Sequence, residues 1–138
     1  MSAARKIHVL TFHLYDFADE DAADDLLDEI EEFADARTWP LGQPDAYKYL
    51  EDEADDEIKA AVEFQVRATT AGVTIEAEKR DFEAAMALME HLRQLSLAHD
   101  LEIEVDFDDE MVGSINKGVY DEGLYEGLID PWAAALSA

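Results

Sequence analysis

The spacing of apolar residues divides most of this chain into predicted strands and helices. Residues 7–15 carry apolar side chains on both alternating faces, which is typical of a central strand. Every second residue from 58 to 69 is apolar, and this is the clearest strand pattern in the chain. Shorter alternations predict strands over residues 73–79 and 101–108, and a tight turn at 70–72 would join the second and third strands in a hairpin.

Two segments instead carry apolar residues at intervals of three and four, which predicts helices with one buried stripe each. The first helix covers about residues 20–36, and the second covers about 82–98, with Asp81 as its cap. A long connection, residues 37–57, separates the first helix from the second strand and begins with turn-forming residues. The sequence pattern of its later part, residues 45–57, does not distinguish between helix, strand and loop.

The predicted order of elements is β-α-β-β-α-β, which defines a ferredoxin-like α+β sandwich. In that arrangement we expect the sheet order 4-1-3-2, with both helices on one face and the other face open. We predict one domain over residues 1–138, with its core at about 7–108 and a C-terminal loop and helical extension at 109–138. Within that extension, glycines at both ends of residues 113–118 predict a loop.

The charge of the chain narrows the classes of partner that it can bind. Its 138 residues include 35 Asp and Glu but 10 Lys and Arg, which gives a net charge of −25. Such a surface repels nucleic acid and anionic membranes and attracts basic proteins. Because 49% of the residues are hydrophobic, the chain can still bury a core, unlike a disordered acidic tail. Without cysteine or a long apolar stretch, we expect a cytoplasmic protein.

No motif for catalysis or metal binding is complete. Gly113 and Gly118 have the spacing of a phosphate-binding loop, but Val119 and Tyr120 occupy the positions that require Lys and then Ser or Thr. The four histidines lack metal-ligand spacing, and the acidic windows lack the glycine and glutamate of a calcium loop. The nucleophile motif Gly-x-Ser-x-Gly is also missing. We therefore expect no enzymatic activity, metal or cofactor.

The first predicted helix carries the densest charge. Ten acidic residues lie within residues 19–35, and no Lys or Arg follows until Arg37. Acids at the C-terminal end of a helix oppose its dipole, so we expect a selective reason for them. The predicted partner-binding residues are Asp24, Asp25, Asp28, Glu31, Glu32 and Asp35 on the helix, Trp39, Tyr47 and Tyr49 as aromatic anchors, and Glu51, Asp52, Glu53, Asp55 and Asp56 as a second acidic patch.

The size, the acidity and the predicted element order resemble those of bacterial ribonuclease inhibitors and regulators, and of immunity proteins that neutralise toxins. The resemblance implies a protein that occludes a basic partner, such as a nuclease toxin, with carboxylates in place of phosphates. Complementary charge would speed this association. The alternative is a small regulatory or ligand-sensing domain that uses the open sheet face and whose acidity is a general adaptation to salt.

Overall fold

The protein has a mixed α+β fold with one antiparallel sheet, and its computed structural model describes residues 8–14, 20–49, 59–67 and 74–137. The sheet strands are β1 (His8–Leu14), β2 (Asp45–Tyr49), β3 (Lys59–Val66), β4 (Glu102–Phe107), β5 (Glu110–Asn116) and β6 (Val119–Tyr120). The main helices are α1 (Glu20–Asp35) and α2 (Ile75–His99). The C-terminal part adds α3 (Glu122–Leu124), a π-helical turn (Tyr125–Ile129) and α4 (Asp130–Ser137).

The six strands lie in the order β2-β3-β1-β4-β5-β6, and every neighbouring pair is antiparallel. Strand β1 is central, and its Leu10 pairs with Phe64 of β3 on one side and Phe107 of β4 on the other. The strands predicted at 7–15, 58–69 and 101–108 are therefore confirmed as β1, β3 and β4. The helix predicted at 20–36 is confirmed as α1.

The strand predicted over residues 73–79 is wrong, because α2 begins at Ile75. The hydroxyl of Thr74 caps this helix by accepting a hydrogen bond from the backbone nitrogen of Ala77 at 3.2 Å. Glu76 and Glu78 then lie in the first turn, where carboxylates suit the helix dipole. Asp81, predicted as the cap, lies inside the helix instead. The turn predicted at 70–72 falls outside the described residues.

Strand β2 pairs with β3, in the position expected for residues 73–79. It comes from residues 45–57, whose pattern does not distinguish helix, strand and loop. Tyr47 of β2 lies opposite Ala61 of β3 in an antiparallel register. The loop predicted at 113–118 is also wrong, because residues up to Asn116 form β5 and continue the sheet. Asp108 and Asp109, both with positive φ, make the turn from β4 into β5. Asp and Asn tolerate this left-handed conformation better than most residues.

The core lies between one face of the sheet and the two long helices. Its buried residues include Leu10, Phe12, Leu14, Val62, Phe64, Val66, Ile103 and Val105 from the strands, Leu26 and Ile30 from α1, and Leu88, Met89 and Leu92 from α2. The C-terminal helices add Leu124, Leu128 and Trp132 to the same core. Alternate strand residues therefore point away from the helices. None of the described helices is long and apolar enough to span a membrane.

Candidate functional site: the acidic, tyrosine-bearing sheet face

The sheet face that points away from α1 and α2 carries polar and aromatic side chains from four strands. We call it the open face and define it by Asp45, Tyr47, Tyr49, Glu63, Gln65, Thr11, His13, Glu104 and Asp106. The strand register brings these residues together, since Thr11 pairs with both Glu63 and Asp106. Side chains on one face of paired strands are close neighbours. The open face is therefore one surface, although its residues are distant in sequence.

A hydrogen-bonded chain of three side chains crosses the open face. The Tyr49 hydroxyl lies 3.0 Å from Nδ1 of His13, and Nε2 of His13 lies 3.0 Å from a carboxylate oxygen of Asp106. An ionised carboxylate only accepts hydrogen bonds, so neutral His13 donates from Nε2 and accepts the Tyr49 hydroxyl proton at Nδ1. The chain of hydrogen bonds fixes the orientation of the Tyr49 ring.

Tyr47 lies beside this chain and is held by a second carboxylate. Its hydroxyl donates a hydrogen bond to Oε1 of Glu63 at 2.9 Å. Burial raises the pKa of Tyr47 to about 12, and the hydrogen bond and negative charge of Glu63 act in the same direction. The hydroxyl therefore stays protonated and keeps donating at neutral pH. At 36% exposure, Tyr47 still presents part of its ring to solvent.

An acid-lined cavity of about 260 Å³ opens next to Tyr47 and Glu63. Its lining includes the acidic residues Asp45 and Glu63, the amide-bearing residues Gln43 and Gln65, and the loop residues Leu41 and Gly42. No Lys or Arg from the described ranges lines it. Two acidic residues in a lining without Lys or Arg from the described ranges favour a cation, and the cavity volume is below the usual ~300–1,000 Å³ of small-molecule pockets. It has the chemistry to receive one Lys or Arg side chain.

The predicted acidic residues of α1 lie on a different surface. Those exposed to solvent are Asp25, Asp28, Glu31, Glu32 and Asp35. Asp24 is half-buried and forms an ion pair with Lys48 at 2.7 Å, and Asp35 accepts a hydrogen bond from Gln43. Because α1 packs on the helix side of the sheet, these acids and the open-face tyrosines cannot form one flat interface.

Trp39, predicted as a binding anchor, is instead a core residue and is 9% exposed. Its Nε1 donates a hydrogen bond to the Ala34 carbonyl at 2.9 Å, and its ring lies edge-on to Phe64, with centroids 5.3 Å apart. A side chain held in this way cannot insert into a partner without opening the core. The second predicted patch, Glu51, Asp52, Glu53, Asp55 and Asp56, lies outside the described residues.

Of the nine residues that define the open face, the sequence prediction named only Tyr47 and Tyr49 as site residues. It missed seven, which include His13, Asp45, Glu63 and Asp106. Alternation already placed Glu63 and Asp106 on the outer faces of their strands. The two residues are close because β3 and β4 both pair with β1. The sequence pattern of a single strand does not specify such a neighbour. Asp45 could have been found only by recognising the short alternation of β2.

Metal binding has no support in the described residues, since no group of three His, Asp or Glu side chains is placed to hold an ion. Comparisons of the chain with protein-family models, curated proteins and solved structures found no match.

Proposed function

We propose that this protein binds a basic protein partner through its open face. The main support for this proposal is the cavity lined by Asp45 and Glu63, which lies next to the partly exposed ring of Tyr47. An arginine or lysine of the partner would enter the cavity and form charge-assisted hydrogen bonds with the two carboxylates. Such bonds are shorter and roughly twice as strong as neutral ones.

The tyrosines would supply the apolar part of the same contact. Tyr47 and Tyr49 lie two residues apart on β2, with ring centroids 6.3 Å apart, and hydrogen bonds to Glu63 and His13 hold them in place. Rigid tyrosines are frequent hot spots in interfaces because they contribute contact area at a low cost in conformational entropy. The aliphatic part of an arginine or lysine would pack on them while its charged end reaches the cavity.

The acids of α1 would act at longer range. Asp25, Asp28, Glu31 and Glu32 are exposed, and no ion pair from the described residues neutralises them. Fields of this kind raise association rates and suppress wrong partners more than they add to affinity. An inhibitor or immunity protein that occludes a nuclease toxin in the cytoplasm would use both features, with carboxylates in the place of nucleic-acid phosphates and no chemistry of its own.

The proposal includes a finer description of the fold. We propose that β1-α1-β2-β3-α2-β4 forms a ferredoxin-like unit that β5 and β6 extend at the β4 edge. The observed order β2-β3-β1-β4 supports this, since it is the expected 4-1-3-2 order read from the opposite edge.

General salt adaptation remains the second candidate, and one observation favours it. Exposed acids also occur on the C-terminal helices, at Glu122, Glu126 and Asp130, so the acidity is not confined to one surface. Under this alternative, the open face would bind no basic side chain selectively.

The experiment is an NMR titration with acetyl-arginine amide, using acetyl-citrulline amide as a neutral control of the same shape. We expect saturable amide shifts at Asp45, Glu63 and Tyr47 with arginine and none with citrulline. Asp45→Asn combined with Glu63→Gln should abolish these shifts, whereas Asp28→Asn on α1 should leave them unchanged.

Two outcomes would reject the open face as the binding surface. Shifts concentrated on α1 would transfer the interface to that helix. Weak shifts spread over all exposed acids, with the same response in the double variant, would mean that the acidity is generic and would favour salt adaptation.

A further inference from the structure

A second, larger cavity has the opposite charge character. It has a volume of about 470 Å³ and lies where the end of α1, the end of β3 and the second turn of α2 meet. Arg37, Arg67 and Arg80 line it, so three of the ten Lys and Arg residues of the chain meet at one place. Glu83 is the one acidic residue of the described part that lines it. In a chain of net charge −25, such a concentration of positive charge requires an explanation.

Arg67 is held in a fixed orientation by a buried carboxylate. Its Nε and one Nη donate hydrogen bonds to the two oxygens of Asp81, each at 2.8 Å, and its backbone nitrogen donates to the same group. Asp81 is 1% exposed, so this bidentate pair is shielded from solvent on the carboxylate side. Within the described part of the chain, the second Nη of Arg67 has no acceptor, so it can bind another one. An oriented guanidinium is the typical arrangement for binding a carboxylate or phosphate.

Arg37 is oriented by ring contacts, and none of the described residues accepts a hydrogen bond from its guanidinium group. Its guanidinium carbon lies 5.6 Å from the ring centroid of Phe33 and 5.5 Å from that of Trp39, which are cation–π distances. Arg80 is exposed and has no ion pair within the described residues. Arg37 and Arg80 therefore line the cavity with no acceptor for their guanidinium groups among the described residues, next to a third arginine that Asp81 holds in place.

Neutralisation by the protein itself does not account for this cluster. Asp81 offsets Arg67, and Glu83 can offset one more charge, which leaves an excess of one positive charge among these described residues at the cavity. The apolar part of the lining, Trp39 and Ala84, adds a surface for the uncharged part of a ligand. The volume is within the ~300–1,000 Å³ that is usual for small-molecule sites.

We propose that this cavity binds a small oxyanionic ligand, one that carries a phosphate or carboxylate group, through Arg37, Arg67 and Arg80. The site is separate from the open face and selects the opposite charge, so it would stand even if the basic partner proposed above were not found. Arg67 would set the position of the oxyanion, and Arg37 and Arg80 would close on it from either side.

The experiment follows backbone amides and arginine Nε–Hε groups by NMR during titration with inorganic phosphate and, separately, succinate. Sodium chloride at equal ionic strength is the reference. We expect saturable shifts at the three arginines, and the oxyanion that produces them identifies the ligand class. Arg37→Gln or Arg80→Gln should weaken binding about tenfold, as expected for loss of a hydrogen bond from a charged group.

Lys79→Gln is the matched control, because it removes the same charge from the neighbouring residue of α2, which does not line the cavity. This variant should bind like the wild type. Arg37 and Arg80 lie at the cavity surface and outside the core, so their replacement should leave the folded spectrum intact. The proposal is overturned if neither oxyanion gives saturable shifts at the cavity, if chloride reproduces them, or if the control weakens binding as much as the arginine variants.

Discussion

Gly113 of β5 lies directly against Leu124 of α3, with no room for a side chain between them. A Cβ on Gly113 would be 2.5 Å from the Cα of Leu124 and 2.6 Å from its Cβ, which is closer than real atoms approach. Asp121 holds the two segments together, because its carboxylate accepts hydrogen bonds from the backbone nitrogens of both Ser114 and Leu124. Leu124 is thereby fully buried, and the C-terminal helices are fixed to strand β5.

We predict that Gly113→Ala strongly destabilises the protein. Overpacking commonly costs about 1–3 kcal/mol, and here the clash is with backbone, so we expect at least the upper part of that range. Urea unfolding would measure the change. Gly123→Ala is the control, since its Cβ would be 3.3 Å from the Val112 carbonyl and should require only a small adjustment. Equal losses in the two variants would contradict the close packing of Gly113 on Leu124.

A second prediction concerns the tautomer of His13. Because Asp106 accepts at Nε2 and Tyr49 donates at Nδ1, neutral His13 should carry its proton on Nε2. Long-range ¹⁵N–¹H NMR correlations distinguish the two tautomers directly. In Asp106→Ala the preference should weaken, because the acceptor that selects it is lost. An Nδ1 proton in the wild type would mean that the Tyr49 hydroxyl accepts instead, and the proposed direction of the hydrogen bonds would be wrong.

The third prediction is a loss of stability in mild acid that depends on His91. Its ring stacks on Phe33 with centroids 4.1 Å apart, and its Nε2 is buried with no hydrogen-bond partner among the described residues. Burial lowers the pKa of His91, although the backbone and charge of Glu29 partly oppose the shift. Below the ordinary histidine pKa of about 6.5, the unfolded state therefore takes up the proton first, and the folded state loses relative stability.

We expect the unfolding free energy of His91→Phe, which keeps the stacked ring, to fall less than that of the wild type between about pH 7.5 and 5.5, on either side of the ordinary histidine pKa. Denaturant unfolding at several pH values would give both curves. His99→Phe serves as the control, because His99 is exposed and lies 3.3 Å from Glu29. If the His91→Phe curve runs parallel to that of the wild type, His91 does not contribute to the acid response.

The fourth prediction concerns salt. Like charges on α1 and β4 repel each other, and screening shortens the reach of that repulsion from ~30 Å at 0.01 M salt to ~8 Å at 0.15 M. The melting temperature should therefore rise over this range. A flat response would mean that the acids are already neutralised, and a requirement for molar salt would support general salt adaptation. Scanning calorimetry in NaCl and in a neutral osmolyte would separate screening from crowding.

The length of a periodic segment decides whether its structure can be predicted from the sequence. Long periodic segments such as α1 and β3 were predictable, because burial of one stripe or face dictates their spacing. The strand prediction for residues 73–79 failed because Ile75 and Ala77 alternate with acidic residues over too few positions to exclude a helix. Thr74, followed by two glutamates, is a helix start that local alternation concealed.

The candidate site was harder to predict than the fold. Exposure of the acids on α1 follows from helical periodicity, so it could be predicted within a single element. The contact between His13 and Asp106 depends on the pairing of strands far apart in sequence, and the pattern of one strand does not specify its neighbours. The prediction that Trp39 is a binding anchor failed for a related reason. A tryptophan in a turn-rich segment resembled an anchor, but the segment folds back and buries it against Phe64.

The central position of β1 also has a consequence for synthesis of the protein on the ribosome. Both of its neighbours, β3 and β4, leave the ribosome after it. Leu10 and Phe12 therefore cannot form their native strand pairs until β3 and β4 have been synthesised. At about 5–20 residues per second, the roughly 90 residues between β1 and the end of β4 take on the order of ten seconds to make. During this interval the acidic segment of α1, emerging directly behind β1, would keep nascent chains apart by charge repulsion. The acids of α1 would then protect the unfinished chain from aggregation before they form the surface of the folded protein.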